Sequence, residues 1–150
     1  MTGSWRPLNS IRGKAIGLAF HDNHVLVCEV LDDNGKLKGW CPVGGGIEFG
    51  ETAVQALRRE IKEELHSEIQ ILAPPRICEN IFEHHGVIGH EIVFAFPIAF
   101  DNPEIYTKKR WQIFEPKYSL WVEWVDLEHF CSGKFKFLPE ELLCKFEEWI

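Results

Sequence analysis

The chain of 150 residues is long enough for one domain with a real core, since a chain of about this size buries roughly 68–70% of its unfolded surface. Hydrophobic residues make up 45% and charged residues 26%, which is ordinary for a globular protein. The net charge of −7 argues against a nucleic-acid polymer as partner, because such partners select a basic surface.

The first third of the chain is typical of strands. Residues 1–13 are polar and predict a short arm, and residues 14–20 then alternate, with Ile16, Leu18 and Phe20 on one face. A second strand is predicted at residues 24–31, followed by a hairpin turn at Asp33-Asn34-Gly35, because Asn-Gly tolerates positive φ. Residues 39–43 lead into Gly44-Gly45-Gly46, a loop where backbone can approach a ligand closely.

A helix is predicted to begin at Thr52 or Ala53. Thr52 followed by Gln55 is a capping-box pattern, in which each residue satisfies the backbone N–H of the other. Apolar residues then recur every four positions, which defines one stripe that faces a core; they are Ala53, Leu57, Ile61 and Leu65.

Three carboxylates share another face of this helix. Glu60, Glu63 and Glu64 stand at i, i+3 and i+4, and like charges at that spacing each cost about 0.2–0.5 kcal/mol in an isolated helix. A bound cation would turn this unfavourable clustering of negative charges into a favourable interaction, and Mg²⁺ prefers hard oxygen ligands. The alternative is a solvated acidic face that is neutralised by neighbouring basic residues, namely Arg58, Arg59 and Lys62.

Strand patterns return after this helix. Strands are predicted at residues 69–73, 76–82, 91–100 and 119–125, with a turn at His84-His85-Gly86 and a long connection over residues 101–118. Residues 139–150 predict a second helix with one apolar face. Strands on both sides of a helix, followed by a terminal helix, predict an α/β/α sandwich with a mixed β-sheet.

The glycine, glutamate and arginine positions over residues 45–67, GGIEFGETAVQALRREIKEELHS, fit a known pattern. Gly45 is followed by Glu51 after five residues, by Arg59-Glu60 after seven more, and then by Glu63-Glu64. This spacing closely resembles the Nudix box, G-x5-E-x7-R-E-U-x-E-E-x-G-U, of the Nudix hydrolase superfamily. The resemblance implies the same α/β/α sandwich over most of the chain and a Mg²⁺-dependent hydrolysis of a diphosphate bond, with Mn²⁺ as a substitute ion.

The resemblance also implies a role for each box residue. Glu60, Glu63 and Glu64 would hold the metal together with the carbonyl of Gly45, and Glu64 would also activate the attacking water. Glu51 would pair with Arg59 and brace the loop against the helix.

Two positions depart from the box: His66 replaces its glycine and Ser67 replaces its aliphatic residue. A residue just past a helix end commonly takes the left-handed conformation, which histidine adopts at some cost. We therefore expect an altered helix end rather than altered metal ligands, with Ile69 and Ile71 supplying the apolar contact that Ser67 does not.

Residues outside the box supply further candidates. Many family members take a base or an extra metal ligand from a glutamate in a later loop, and Glu115 is the candidate here; the alternative is a surface carboxylate. Glu91 and Glu123 compete with it, but each lies inside a predicted strand.

The basic cluster at residues 108–111 has two interpretations. Lys108 and Arg110 could bind substrate phosphate while Trp111 stacks on a base, or the cluster is a solvated loop. The spacing of His84, His85 and His90 matches no zinc pattern.

We expect the partner to be a small nucleotide. Nucleotide sugars, nucleoside triphosphates and dinucleoside polyphosphates remain open as substrates, and the competing hypothesis is a catalytically weak nucleotide-sensing Nudix domain. A homodimer is compatible with the sequence.

Composition also predicts the compartment. Five cysteines without a C-x-x-C pair do not indicate a disulfide framework. The first residues contain no apolar segment typical of a signal peptide, and no apolar run is long enough to span a bilayer. We therefore expect a cytoplasmic protein that does not bind membranes.

Overall fold

A computed structural model of the chain describes residues 6–114 and 119–143. Its regular elements, in chain order, are β1 (Ile11–Leu18), β2 (Phe20–His21), β3 (His24–Leu31), β4 (Leu37–Gly46), α1 (Ala53–Leu65), β5 (Ile69–Ile71), β6 (Arg76–His84), β7 (Val87–Phe100), a 3-10 helix (Pro103–Tyr106), β8 (Arg110–Phe114), β9 (Ser119–Asp126) and α2 (Leu127–Cys131).

The strands form a mixed sheet in the order β5-β7-β1-β4-β3-β9-β8. β1 and β7 run parallel, with Cα partners from Ile11 and His90 to Leu18 and Pro97, while the other pairs are antiparallel. β6 pairs with the first part of β7 and β5 with its last part. The mixed sheet predicted from the sequence is therefore confirmed.

Alternation along the strands creates two apolar cores, one on each face of the sheet. One side of β1 presents Ala15 to the core beneath α1, which contains Leu57 and Ile61. The other side presents Ile16 and Leu18, which pack in a core that the segment after β9 covers; that segment contributes Phe130, Phe137 and Leu142. Helices and sheet therefore form the layers that the sequence predicted.

Both ends of α1 follow from local sequence. The Thr52 side chain accepts the Gln55 N–H while the Gln55 side chain accepts the Thr52 N–H, which completes the predicted capping box. His66 has φ 55° and ψ 44°, and its N–H donates to the Lys62 carbonyl. His66 thus takes the left-handed conformation that is common just past a helix end, and the altered helix end expected from the sequence is not observed.

Ser67 joins the end of α1 to the segment after β7. Its buried hydroxyl donates to the Glu68 carbonyl at 2.7 Å and accepts the Asn102 N–H at 3.0 Å. The Asn102 side chain in turn accepts the Glu104 N–H and caps the 3-10 helix. The polar residue at this position is explained by hydrogen bonding, while Ile69 supplies the buried apolar contact.

Several boundaries differ from the prediction. The connection predicted over residues 101–118 contains β8, because Trp111 and Ile113 gain a core only once β8 pairs with β9. The first strand begins at Ile11, so the described part of the arm is shorter than predicted, and α2 was not predicted at all. Most of the helix predicted at residues 139–150 lies outside the described residues.

Cysteines 28, 41 and 131 are free thiols. In the ranges that the structure describes, no helix has both the length and the apolar character to cross a membrane.

Replacing Leu57 by alanine tests the core beneath α1. Leu57 is fully buried, so we expect Leu57→Ala to lower the free energy of unfolding by about 2–5 kcal/mol, measured by urea denaturation. The matched control is Leu8→Ala, since Leu8 is 78% exposed and should change stability by no more than about 0.5 kcal/mol. Equal effects in the two variants would contradict the packing described here.

Candidate active site

The three glycines that end β4 are required for three different reasons. Gly44 has φ +141°, and a methyl group there would lie 2.2 Å from the Ala15 carbonyl oxygen. A methyl group at Gly45 would lie 2.5 Å from Cδ of Glu60. One at Gly46 would lie 2.6 Å from Nη2 of Arg12. Charged side chains therefore approach the end of this strand closely at two consecutive residues.

The guanidinium of Arg59 ties this strand end to the loop and to α1. Its Nε and Nη2 donate to the two carboxylate oxygens of Glu51 at 2.8 and 2.9 Å. Nη1 donates to Glu60 at 2.8 Å, and Nη2 also donates to the Gly46 carbonyl at 3.1 Å. A planar guanidinium with forked donors suits such a shared arrangement, which a lysine could not reproduce.

Glu51 is held as a carboxylate by these contacts. The hydrogen bonds from Arg59 and from the Glu48 backbone N–H lower the pKa of Glu51 to about 2. The same pairing raises the pKa of Arg59 further above its usual range, and Glu60 adds to that effect. A second hydrogen bond between the same two residues of the loop between β4 and α1 runs from the Glu51 N–H to the Glu48 carbonyl.

The three glutamates of α1 have different surroundings. The Glu60 side chain is 16% exposed and lies against Gly45, whereas the Glu63 side chain is 60% exposed and lies 3.7 Å from Arg59. Glu64 is half-buried. Burial raises the pKa of the Cys28 thiol, and the nearby charges of Cys41 and Glu64 raise it further.

This donor set suits a hard divalent cation. Carboxylates and backbone carbonyls are oxygen ligands that suit Mg²⁺, and the Glu60 carboxylate lies against the backbone of Gly45. Within residues 6–114 and 119–143, no three histidine, cysteine or acidic side chains already stand in a metal-binding group. The donors fit the ion chemically, and the glutamate side chains would have to converge around it.

Sequence reasoning missed two charged residues on the other side of this strand end. Arg12 and Lys14 lie on β1, where Lys14 is the Cα partner of Gly46. Arg12 is the Cα partner of Glu91 on β7, and its Nη1 lies 3.4 Å from the Glu91 carboxylate, which is buried. Alternation along β1 could have shown that Arg12 and Lys14 lie on the same face of the strand. Their partners on β4 and β7 depend on the strand order of the sheet.

The cluster at residues 108–111 does not converge on one point. Arg110 and Trp111 are neighbours on β8 and face opposite sides of the sheet, and Trp111 packs in the core beneath α1. The Lys108 ammonium lies 5.5 Å from the centroid of the Trp111 ring.

Arg110 is engaged by its own strand neighbours. Its guanidinium lies 4.1 Å over the Trp121 ring and 3.7 Å from both Glu29 and Glu123. Of the two glutamates that compete with Glu115, Glu123 is thus occupied here and Glu91 is paired with Arg12. Glu115 itself lies outside the described residues.

The histidines lie where the sequence placed them. His84 ends β6, His85 lies in the following turn with φ 53°, and His90 lies in β7. Burial lowers the pKa of His84 to about 4, with the charges of His85 and Lys38 acting in the same direction.

Comparisons with known proteins agree with this geometry. The family model for the NUDIX domain matches residues 11–144. Nucleoside triphosphatase NudI of Escherichia coli O139:H28 is 31% identical over 118 residues, which are 73% of this chain and 80% of the relative.

Solved structures share the fold. The solution structure of the E. coli ORF135 protein has a TM-score of 0.61 at 20% identity and covers 95% of this chain and 94% of its own. A NUDIX hydrolase from Nitrosomonas europaea has a TM-score of 0.62 at 13% identity and covers 93% of this chain and 88% of its own. The family model and the NudI relative together show that the chain belongs to the Nudix hydrolase superfamily, as a pyrophosphohydrolase.

Proposed function

We propose that the protein is a Mg²⁺-dependent hydrolase that cleaves the diphosphate bond of a nucleoside diphosphate derivative, with nucleoside triphosphates as the substrate class. The observation that carries the proposal is the contact of the Glu60 carboxylate with Gly45, held by an Arg59 that also binds Glu51 and Gly46. This arrangement holds a carboxylate against the end of β4, where Arg59 also binds the Gly46 carbonyl, and carboxylate and carbonyl oxygens suit a site for a metal–diphosphate complex.

The metal ligands would be Glu60, Glu63, Glu64 and the carbonyl of Gly45. A bound Mg²⁺ supplies positive charge to the diphosphate and lowers the pKa of water. Mn²⁺ offers a similar preference for oxygen ligands and serves as a substitute.

In this mechanism Glu64 would transfer a proton, while Glu51 and Arg59 would position other groups of the site. Glu64, which is half-buried, accepts a proton from the attacking water as its oxygen bonds to phosphorus and the bridging P–O bond breaks. Glu51 and Arg59 do not meet the substrate; they position Glu60 and the loop. Catalysis of phosphoryl transfer rests mainly on such positioning and on charge stabilisation.

The activity of a related protein ranks the candidate substrates. The bacterial relative that is 31% identical is a nucleoside triphosphatase, which moves nucleoside triphosphates ahead of nucleotide sugars and dinucleoside polyphosphates. The proposed enzyme would act as a single domain with a small nucleotide as partner, in the cytoplasm.

Turnover with and without Glu64 tests the proposal. We expect the wild-type protein with Mg²⁺ to hydrolyse nucleoside triphosphates, and Glu64→Gln to lower kcat by about 10²–10⁴-fold, because it removes a ligand and a proton acceptor. The assay is chromatography of the products from a panel that includes nucleotide sugars and dinucleoside polyphosphates.

The matched control is Glu68→Gln, since Glu68 is exposed and its side chain pairs with Lys62 at 3.1 Å, away from the glycines that end β4. It should retain wild-type kcat. Nucleotide binding without turnover across the panel would sink the hydrolase proposal and favour the sensing domain.

The Arg59–Glu51 pair should make stability depend on pH in a defined window. Because the pKa of Glu51 falls from 4.5 to about 2 on folding, its contribution is fully present above pH 4.5 and is lost as pH falls toward 2. We therefore expect wild type to exceed Glu51→Gln in free energy of unfolding near neutral pH, with the gap closing below pH 4.5.

Urea denaturation at a series of pH values measures this gap. Glu48→Gln is the control, because the Glu48 side chain is 71% exposed and lies 3.9 Å from Arg59. A gap that stays constant down to pH 2 would show that Glu51 is not the group responsible.

Glu115 stays a prediction and has its own test. If it supplies a base or an extra ligand, Glu115→Gln should lower kcat by about 10²-fold or more, measured by steady-state kinetics at saturating Mg²⁺. Glu104→Gln, at an exposed position of the 3-10 helix, is the control. An unchanged kcat in Glu115→Gln removes this residue from the mechanism.

A further inference from the structure

We infer that Arg12 and Lys14 form a phosphate-binding subsite on the side of Gly46 opposite the α1 carboxylates, and that Glu91 positions the Arg12 guanidinium there. This inference rests on the proposed function, because it concerns the same substrate. It assigns the phosphate contacts to β1 rather than to the basic cluster at residues 108–111.

The first argument is the position of Arg12. Its guanidinium lies directly against Gly46, where any Cβ would collide with Nη2 at 2.6 Å and Nε at 2.9 Å. Glu60 makes the same kind of approach to Gly45. Consecutive strand residues are about 3.3 Å apart along the strand and face opposite sides. A cation and a carboxylate therefore flank the same strand end from its two faces.

The second argument is that each guanidinium nitrogen of Arg59 already donates a hydrogen bond within the protein. Its Nε, Nη1 and Nη2 all donate to Glu51, Glu60 or the Gly46 carbonyl. A diphosphate that reaches this strand end brings several negative charges, and the acidic side chains around it repel them. Beside the bound Mg²⁺, cations other than Arg59 can stabilise that charge, and Arg12 and Lys14 are the basic residues of β1 that border Gly46.

The third argument is the asymmetry of the Arg12–Glu91 pair. The Glu91 side chain is 5% exposed, whereas the Arg12 side chain is 37% exposed. A buried carboxylate that holds a partly exposed guanidinium orients the cation toward solvent at a fixed place. Such a preorganised guanidinium suits phosphate oxygens, which accept charge-assisted hydrogen bonds from it.

Lys14 extends the same positive surface by two residues. It lies on the Arg12 side of β1 and is the Cα partner of Gly46. In the described ranges, no carboxylate lies within salt-bridge distance of its ammonium group. Lys14 also opposes, through its charge, the rise that burial causes in the pKa of Cys41 on the neighbouring strand β4.

The competing explanation is that Arg12 and Glu91 form a purely structural cross-strand pair. The two explanations predict different effects of substitutions at Arg12 and Glu91 on the binding of a phosphate compound. A structural pair affects stability alone, whereas a subsite affects the affinity for a diphosphate and the KM of the substrate.

Calorimetric titration with inorganic pyrophosphate in the presence of Mg²⁺ provides the test. Lys14→Gln, and the double variant Arg12→Gln with Glu91→Gln, should each weaken pyrophosphate binding by about tenfold or more. The double variant is needed because Arg12→Gln alone leaves Glu91 buried without its cation. Arg12→Lys, which keeps the charge but not the forked donors, should give an intermediate affinity.

Lys36→Gln is the matched control, since it also removes one positive charge, at an exposed turn before β4. It should bind pyrophosphate like wild type. For any triphosphate that the wild type hydrolyses, the Lys14 and double variants should raise KM with little change in kcat.

The outcomes separate this inference from the proposed function. Binding that depends on Arg12 and Lys14, in a wild-type protein that hydrolyses no nucleotide, supports the subsite and overturns only the hydrolase proposal. Hydrolysis by the wild type, with pyrophosphate affinity and KM unchanged in the folded Lys14 and double variants, overturns the subsite alone. A wild-type protein that does not bind pyrophosphate also overturns it.

Discussion

The guanidinium of Arg59 is the contact on which the geometry of the site depends. It touches the strand end, the loop and the helix carboxylate together, through Gly46, Glu51 and Glu60. The apolar core beneath α1 holds the helix on the sheet, and the guanidinium adds polar contacts at the site itself. A shared planar cation fixes them because its donors have fixed directions, and the lowered pKa of Glu51 reports how strongly that carboxylate is held.

The run of three glycines is the second constraint. Gly45 makes room for Glu60 on the α1 side, and Gly46 makes room for Arg12 on the other. At the end of β4 only backbone therefore separates the Glu60 carboxylate on one face of the strand from the Arg12 guanidinium on the other. A protein that must hold a divalent cation and a polyanion side by side needs both signs of charge within a short distance, and a strand without side chains supplies that at its two faces.

The local parts of the structure could be predicted because their causes are local. The capping box at Thr52 and Gln55 and the left-handed His66 depend on residues within one helical turn. The same holds for the i, i+3 and i+4 spacing of the glutamates, and β3 was predicted with its observed bounds because its apolar run is continuous. The strand β8 was missed because residues 110–114 have no core to face until β9 lies beside them, and Ser67 was read as a lost apolar contact because its partner Asn102 is 35 residues away.

By itself the sequence determined the spacing of the box residues, the helix that carries them and the alternation that makes each strand two-faced, since all three follow from backbone geometry over a few residues. Only the tertiary structure decided which of those faces meet. Arg12 and Glu91 are 79 positions apart and become partners because β1 and β7 run parallel in the middle of the sheet. Arg110 and Trp111 are adjacent and yet face opposite sides, because β8 is a strand and not a loop. Strand order is a property of the whole chain, so no local pattern could have shown that β1 brings positive charge to the end of β4.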